Sequence, residues 1–130
     1  MPLVRITLAR GKDARTRRAI ADGVHEALVA TAGVPADDRF QVVEEVEPEN
    51  LIFDPTYLGL RREGPVVFVK ITLNAGRSVA VKQALYARVA DELAARAGLR
   101  RDDVLVSLIE VARENWSFGG GLMSYPPPAG

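Results

Sequence analysis

Val4-Arg5-Ile6-Thr7-Leu8 returns as Val69-Lys70-Ile71-Thr72-Leu73, 65 positions later (69 − 4) in a chain of 130 residues, and the architecture follows from that recurrence. Sliding the chain by the same offset lays Gly11-Lys12 on Gly76-Arg77, and Ala19, Val24 and Leu28 on Ala84, Val89 and Leu93. Gly33 meets Gly98, Asp37-Asp38 meets Asp102-Asp103, and Glu49-Asn50 meets Glu114-Asn115. From Val4 to Phe53, 18 of 50 positions are identical without a gap, far above chance, so the two halves are copies of one unit.

Each copy reads as strand, helix, strand. Pro2 to Leu8 alternates and is rich in β-branched residues, whereas Val66 to Leu73 is a nearly continuous apolar run. Asp13 and Ser78 are candidate N-caps, because their side-chain oxygens can accept from the free amides of a first helical turn. Ile20, Val24, Ala27, Leu28 and Thr31 recur at helical spacing, as do Val81, Leu85, Val89 and Leu93, and Gly33 and Gly98 supply left-handed stops. Second strands follow at Phe40 to Val46 and Val104 to Val111.

A strand–helix–strand unit of this length is a right-handed crossover with parallel strands. Two of them predict a single two-layer α+β domain over 1–130, with repeats at about 2–62 and 66–125, a four-stranded sheet and both helices on one face. Val66 to Val69 leave no polar side, so the other face is expected to be covered by a second copy of the chain. Glu47 to Gly64 reads as a linker with short extended pieces, in which Tyr57 and Arg62 could close over a site. The tail from Gly119 to Gly130 is expected to be flexible over its last five residues or laid across a neighbouring subunit.

Composition narrows the functional classes. Zero net charge speaks against a nucleic-acid or membrane partner, and the clusters Arg15, Arg17, Arg18 and Glu44, Glu45, Glu47, Glu49 read as solvated faces. Absence of cysteine excludes disulfides and thiolate chemistry. His25, the one histidine, reads as a packed or half-exposed helix residue rather than a metal ligand. With no signal-like N-terminus or membrane-length apolar run, the expected location is cytoplasmic. No motif implies a metal, nucleotide or organic cofactor.

Pro2, directly after Met1, is where chemistry enters. Removal of Met1 is expected before so small a residue and leaves a secondary amine at the head of a strand. An α-amino group titrates near pH ~8, and burial or a nearby cation lowers that value by disfavouring the charged form. Neutral, the amine is a base for a proton next to a carbonyl; charged, it polarises a carbonyl.

Pro2-Leu3-Val4, Val34-Pro35-Ala36-Asp37-Asp38-Arg39-Phe40-Gln41, Asn74-Ala75-Gly76-Arg77 and Trp116-Ser117-Phe118-Gly119 together resemble the malonate semialdehyde decarboxylase group of the tautomerase superfamily, from Pro2 to about Tyr125. The resemblance implies two βαβ units per subunit, a homotrimer, and a small oxo-carboxylate substrate. It implies Pro2 as the catalytic amine, Asp38 as an active-site acid, and Arg77 as an active-site guanidinium that also binds substrate. Trp116 and Phe118 would wall the pocket. Where one decarboxylase of the group carries Arg-Pro-Arg, this chain has Ala75-Gly76-Arg77, one arginine fewer.

The leading expectation is decarboxylation of malonate semialdehyde to acetaldehyde and carbon dioxide. Keto–enol tautomerisation of a phenylpyruvate-like 2-oxo acid is the alternative, because a single arginine suits one carboxylate. Hydration of a haloacrylate, for which relatives use paired arginines, and a non-catalytic trimeric binding module are more distant readings.

Overall fold

The computed structural model describes residues 1–129; of the tail for which disorder is expected, 126–129 lack regular secondary structure and Gly130 lies outside the described residues. The first repeat forms β1 (Leu3–Ala9), α1 (Ala14–Ala32) and β2 (Gln41–Val46). The second forms β3 (Val67–Asn74), α2 (Val79–Ala97) and β4 (Val104–Val111). Both expected caps operate, with Asp13 accepting from the Thr16 amide at 2.8 Å and Ser78 from the Val81 amide at 3.2 Å. Gly33 and Gly98 stop the helices in the left-handed region, at φ 70° and 65°, where a Cβ would be strained.

The sheet order is β2-β1-β3-β4. Within each repeat the two strands are parallel, and the central pair β1–β3 is antiparallel. The two repeats are therefore related by a pseudo-twofold axis, and each end of the sheet joins the strand starts of one copy to the strand ends of the other. Val4, Ile6 and Leu8 point to the same side as Val67, Val69, Ile71 and Leu73, and all are buried under the helices. They meet Ile20, Val24 and Leu28 of α1 and Leu85, Val89 and Leu93 of α2 in one core. Each such aliphatic side chain contributes about 1.5–3 kcal/mol on leaving water. The helices approach closely at Gly23, where an added Cβ would lie 3.0 Å from Leu93 Cδ1, so this glycine serves packing against its helix propensity.

Two expectations change. The apolar run at Val66 to Val69 has a polar side after all: from Val67 onward β3 alternates, turning Phe68, Lys70 and Thr72 to the uncovered face. Arg5 and Lys70 are paired across that face, with exposed Leu3, Val42, Leu105 and Ile109 around them. It is a mixed surface, because Val66 precedes the strand and hides the period of two. The linker contains 3-10 turns at Pro48–Asn50 and Tyr57–Gly59 where extended pieces are expected. The tail folds on its own subunit as far as Ser124, whose amide donates to Trp116 O at 2.9 Å.

The two charge clusters meet only at Arg17–Glu45 among the described ion pairs; Glu44 and Glu47 pair instead with Arg5 and Arg10. Solvent screens such exposed pairs, so they add little to stability. No helix among the described residues is long and apolar enough to cross a membrane.

Candidate active site

The antiparallel centre brings the start of β1 and the end of β3 together, with Leu3 opposite Thr72. Because β2 runs parallel to β1 and β4 to β3, the approach to β2 and the exit from β4 reach the same end. Pro2, Asp38, Arg77, Trp116 and Phe118, scattered over the sequence, are all carried there.

Pro2 is buried at the head of β1. Asp38 follows a turn closed by its own amide on Pro35 O at 3.0 Å, and Asp103 follows the same turn in the second copy, donating to Arg100 O at 3.0 Å. The aspartate pair thus forms a turn in both repeats, and Asp38 is also buried, at 9% exposure. Its Oδ2 lies 3.2 Å from the Met1 amine, yet this buried atom has no hydrogen bond of acceptable angle. The contact is an ion pair held by charge, and the carboxylate keeps unused acceptor capacity. With Met1 present, the terminal cation facing Asp38 belongs to Met1 and the Pro2 nitrogen is a peptide nitrogen. Removing Met1 transfers the terminus to Pro2.

Arg77 is half-buried and held at two points: Nε donates to Ala32 O, at the end of α1, at 2.9 Å, and Nη1 to Asn74 O at 3.2 Å. A guanidinium has five N–H groups, so three remain beyond these two bonds, both of those on Nη2 among them.

The apolar wall is a stack. Trp116 and Phe118 are parallel at 5.1 Å, Phe40 lies 5.3 Å from Phe118, and Tyr125 meets Phe118 edge-on at 6.0 Å. Leu3, Phe40, Trp116, Ser117 and Phe118 line a cleft of about 220 Å³. Pro2, Asp38 and Arg77 border this end of the molecule but do not line that cleft. A larger concavity, about 440 Å³, lies elsewhere, between α1 and β2. It is an open trough whose Arg17, Arg18 and Arg39 are already paired with Glu45 and Asp22, and it holds none of the expected site residues.

Four contributors were given no role by the sequence. Asn74 Oδ1 accepts the Trp116 indole N–H at 2.7 Å while its backbone oxygen holds Arg77, so one residue positions two site side chains. Tyr125 lies near enough to Asp38 that burial and then the aspartate's charge push its phenol pKa up, against the lowering effect of Arg113. Arg113 sits 5.0 Å over the Tyr125 ring. Leu3 was quoted only as part of a motif, and its exposure at a strand head is the signal that it lines a cleft. The half-exposed His25 meets Ala36 O at 2.8 Å. Tyr57 and Arg62 lie at the opposite end of the sheet, away from the site of their own subunit. Among the described residues, no group of three or more metal-binding side chains is assembled.

Because the chain has a single tryptophan, the Asn74 contact has its own reporter. Asn74→Ala is expected to change the emission of Trp116 and to cost about 0.5–1.5 kcal/mol, the worth of one hydrogen bond. Fluorescence and thermal unfolding check it; an unchanged spectrum would show that Asn74 does not set the ring.

Two family models, both of the tautomerase enzymes, match the chain over residues 38–119 and 2–61. A probable tautomerase of Bacillus subtilis (strain 168), YusQ, is 32% identical over 121 residues, covering 93% of this chain and 95% of the relative. The chain belongs to the tautomerase superfamily.

As a tautomerase-superfamily enzyme it is also similar to solved structures. A malonate semialdehyde decarboxylase inhibited by 3-bromopropiolate superposes with a TM-score of 0.89 at 38% identity, over 95% of this chain and 93% of the other. A fused 4-OT described as a symmetric trimer shares the fold at 22% identity and a TM-score of 0.78, over 94% and 95%.

Proposed function

We propose that this tautomerase-superfamily enzyme decarboxylates a small 3-oxo carboxylate of the malonate semialdehyde type. The supporting observation is the 38% identity to a malonate semialdehyde decarboxylase across nearly the whole chain. The collected end of the sheet supplies suitable groups. In this reading Met1 is removed and the Pro2 amine either polarises the aldehyde oxygen as a cation or, after giving up its proton, condenses with the carbonyl to an iminium with loss of water. The bond to the carboxylate breaks, its electron pair passes into the activated carbonyl, carbon dioxide leaves, and a proton is taken up at carbon; this gives acetaldehyde directly, or on the iminium route after water hydrolyses the adduct and frees Pro2. Arg77, through its remaining N–H groups, holds the carboxylate until the bond breaks. Asp38 favours the charged amine, and Trp116 and Phe118 exclude water and strengthen these charge interactions.

We also propose a homotrimer, supported by the exposed Val42 and Ile109 on the uncovered sheet face. Sedimentation equilibrium at the mass of a monomer would remove it.

One observation favours keto–enol tautomerisation as a second reading: two probable tautomerases of Bacillus subtilis (strain 168) are 32% and 33% identical over 93% of this chain. The two readings differ in the resting charge of Pro2. Release of carbon dioxide from malonate semialdehyde, measured on protein confirmed by mass to lack Met1, is the expected result for the decarboxylase. No release, with turnover of phenylpyruvate and a Pro2 amine near pKa ~6–7 by nitrogen NMR, would replace it by the tautomerase.

A further inference from the structure

The offset of 65 residues that relates the repeats also relates two clefts. Moving the walls of the candidate site by that offset takes Leu3 to Phe68, Phe40 to Leu105, Ser117 to Ile52 and Phe118 to Phe53. Those four residues line a second cleft, of about 180 Å³, at the opposite end of the sheet. The pseudo-twofold axis therefore produces two concave aromatic sites, one at each end.

The second cannot perform the amine chemistry proposed for the first. Val67, at the place of Pro2, is internal to the chain, so its nitrogen is a peptide nitrogen. Asp103, at the place of Asp38, accepts the Glu63 amide at 3.0 Å and faces Arg100 at 3.5 Å. Where Asp38 keeps a buried oxygen without a hydrogen bond, Asp103 spends its capacity pinning the linker. Arg61 is held alongside, its amide on Asp102 Oδ2 at 3.0 Å and its carbonyl accepting from Arg100 at 2.8 Å.

What the second cleft retains is recognition. Arg62, half-buried, lines it and has no ion pair among the described residues. Its guanidinium has only a 3.5 Å contact with Asp54 O; the Asp54 side chain also lines the cleft, and its Oδ1 accepts the Thr56 amide at 2.9 Å and the Thr56 hydroxyl at 3.3 Å. Tyr57 adds a phenol at the rim. The loop presenting both is specified in detail: Arg62 donates its amide to Pro55 O at 2.9 Å, and Leu58 is held at φ 61°. A leucine in that region is strained by about 1–3 kcal/mol, which persists only where the surroundings over-determine the conformation.

An uncommitted guanidinium and a phenol over a floor of Phe53, Phe68 and Leu105 match one ligand chemistry. We propose that this cleft is a second, non-catalytic binding site for a small carboxylate with an aromatic or branched apolar body. The guanidinium forks the carboxylate, and the apolar body replaces water against the aromatic floor.

Titration of the Met1-processed protein with phenylacetate, followed by methyl NMR, tests this, with Trp116 fluorescence recording the other end in parallel. The expected result is saturable shifts at the Ile52 and Leu105 methyls with a millimolar dissociation constant. They persist in Pro2→Ala and weaken at least about tenfold in Arg62→Gln, where the forked contact is lost. Shifts confined to Leu3 with a fluorescence change at Trp116 would overturn the proposal by placing the carboxylate at the other cleft. Unaltered affinity in Arg62→Gln would overturn the role of the guanidinium. Absence of saturable shifts at both ends, as when a second copy of the chain covers this cleft, would overturn it too.

Discussion

Pro2→Ala, in protein whose Met1 has been removed, is expected to lower the proposed decarboxylation rate by about 10²- to 10³-fold, or ~2.7–4 kcal/mol of transition-state stabilisation. Alanine leaves a primary amine at the chain terminus, so the loss falls short of complete. Forms that retain Met1 are expected to be slower still. In them the Pro2 nitrogen is a peptide nitrogen, with no basic lone pair and no ionisable proton, while Asp38 Oδ2 faces the Met1 amine at 3.2 Å. The order processed wild type, processed Pro2→Ala, unprocessed wild type is specific to an amine mechanism. Pre-steady-state assays on the three proteins, each verified by mass, read it directly. Equal rates for processed and unprocessed enzyme would falsify the amine role, whatever the effect of Pro2→Ala.

How far the sequence led depends on the range of each interaction. Helix ends were legible because capping is local: Asp13 and Thr16 are three residues apart, and Gly33 and Gly98 need only their own backbone freedom. The paired βαβ architecture was legible because the repeat supplies the same local rules twice. Lys70 on the uncovered face was hidden, since Val66 to Val69 reads as continuous apolar sequence until the strand's true start at Val67 sets the alternation.

The site was legible in part. Pro2, Asp38, Arg77, Trp116 and Phe118 could be named from residues and resemblance, and topology gathers them at one end. The bond from Trp116 to Asn74 could not be read, because it spans 42 positions and depends on β3 and β4 ending in register, Asn74 beside Val111. Tyr57 and Arg62 were assigned toward the wrong end for a related reason. A linker between antiparallel-related copies starts where β2 ends, which is the far end of the sheet from Pro2.

Arg77→Ala is expected to cut kcat/KM by about 10²- to 10³-fold, the usual cost of removing one partner of a charged, forked contact. Arg77→Lys keeps the charge but loses the planar fork, so it recovers only part of that loss. The structure adds a complication that the measurement must separate. Nε of Arg77 satisfies Ala32 O, one of the orphan carbonyls at the end of α1, and Nη1 satisfies Asn74 O. Its removal therefore also costs stability, about 1 kcal/mol for each hydrogen bond. Inhibition by malonate divides the two roles. A carboxylate anchor predicts that the malonate inhibition constant rises with the loss of kcat/KM in Arg77→Ala and is partly restored in Arg77→Lys. A residue that only fastens α1 to β3 predicts a lower melting temperature with malonate inhibition unchanged, and that outcome would leave the substrate carboxylate without its proposed partner.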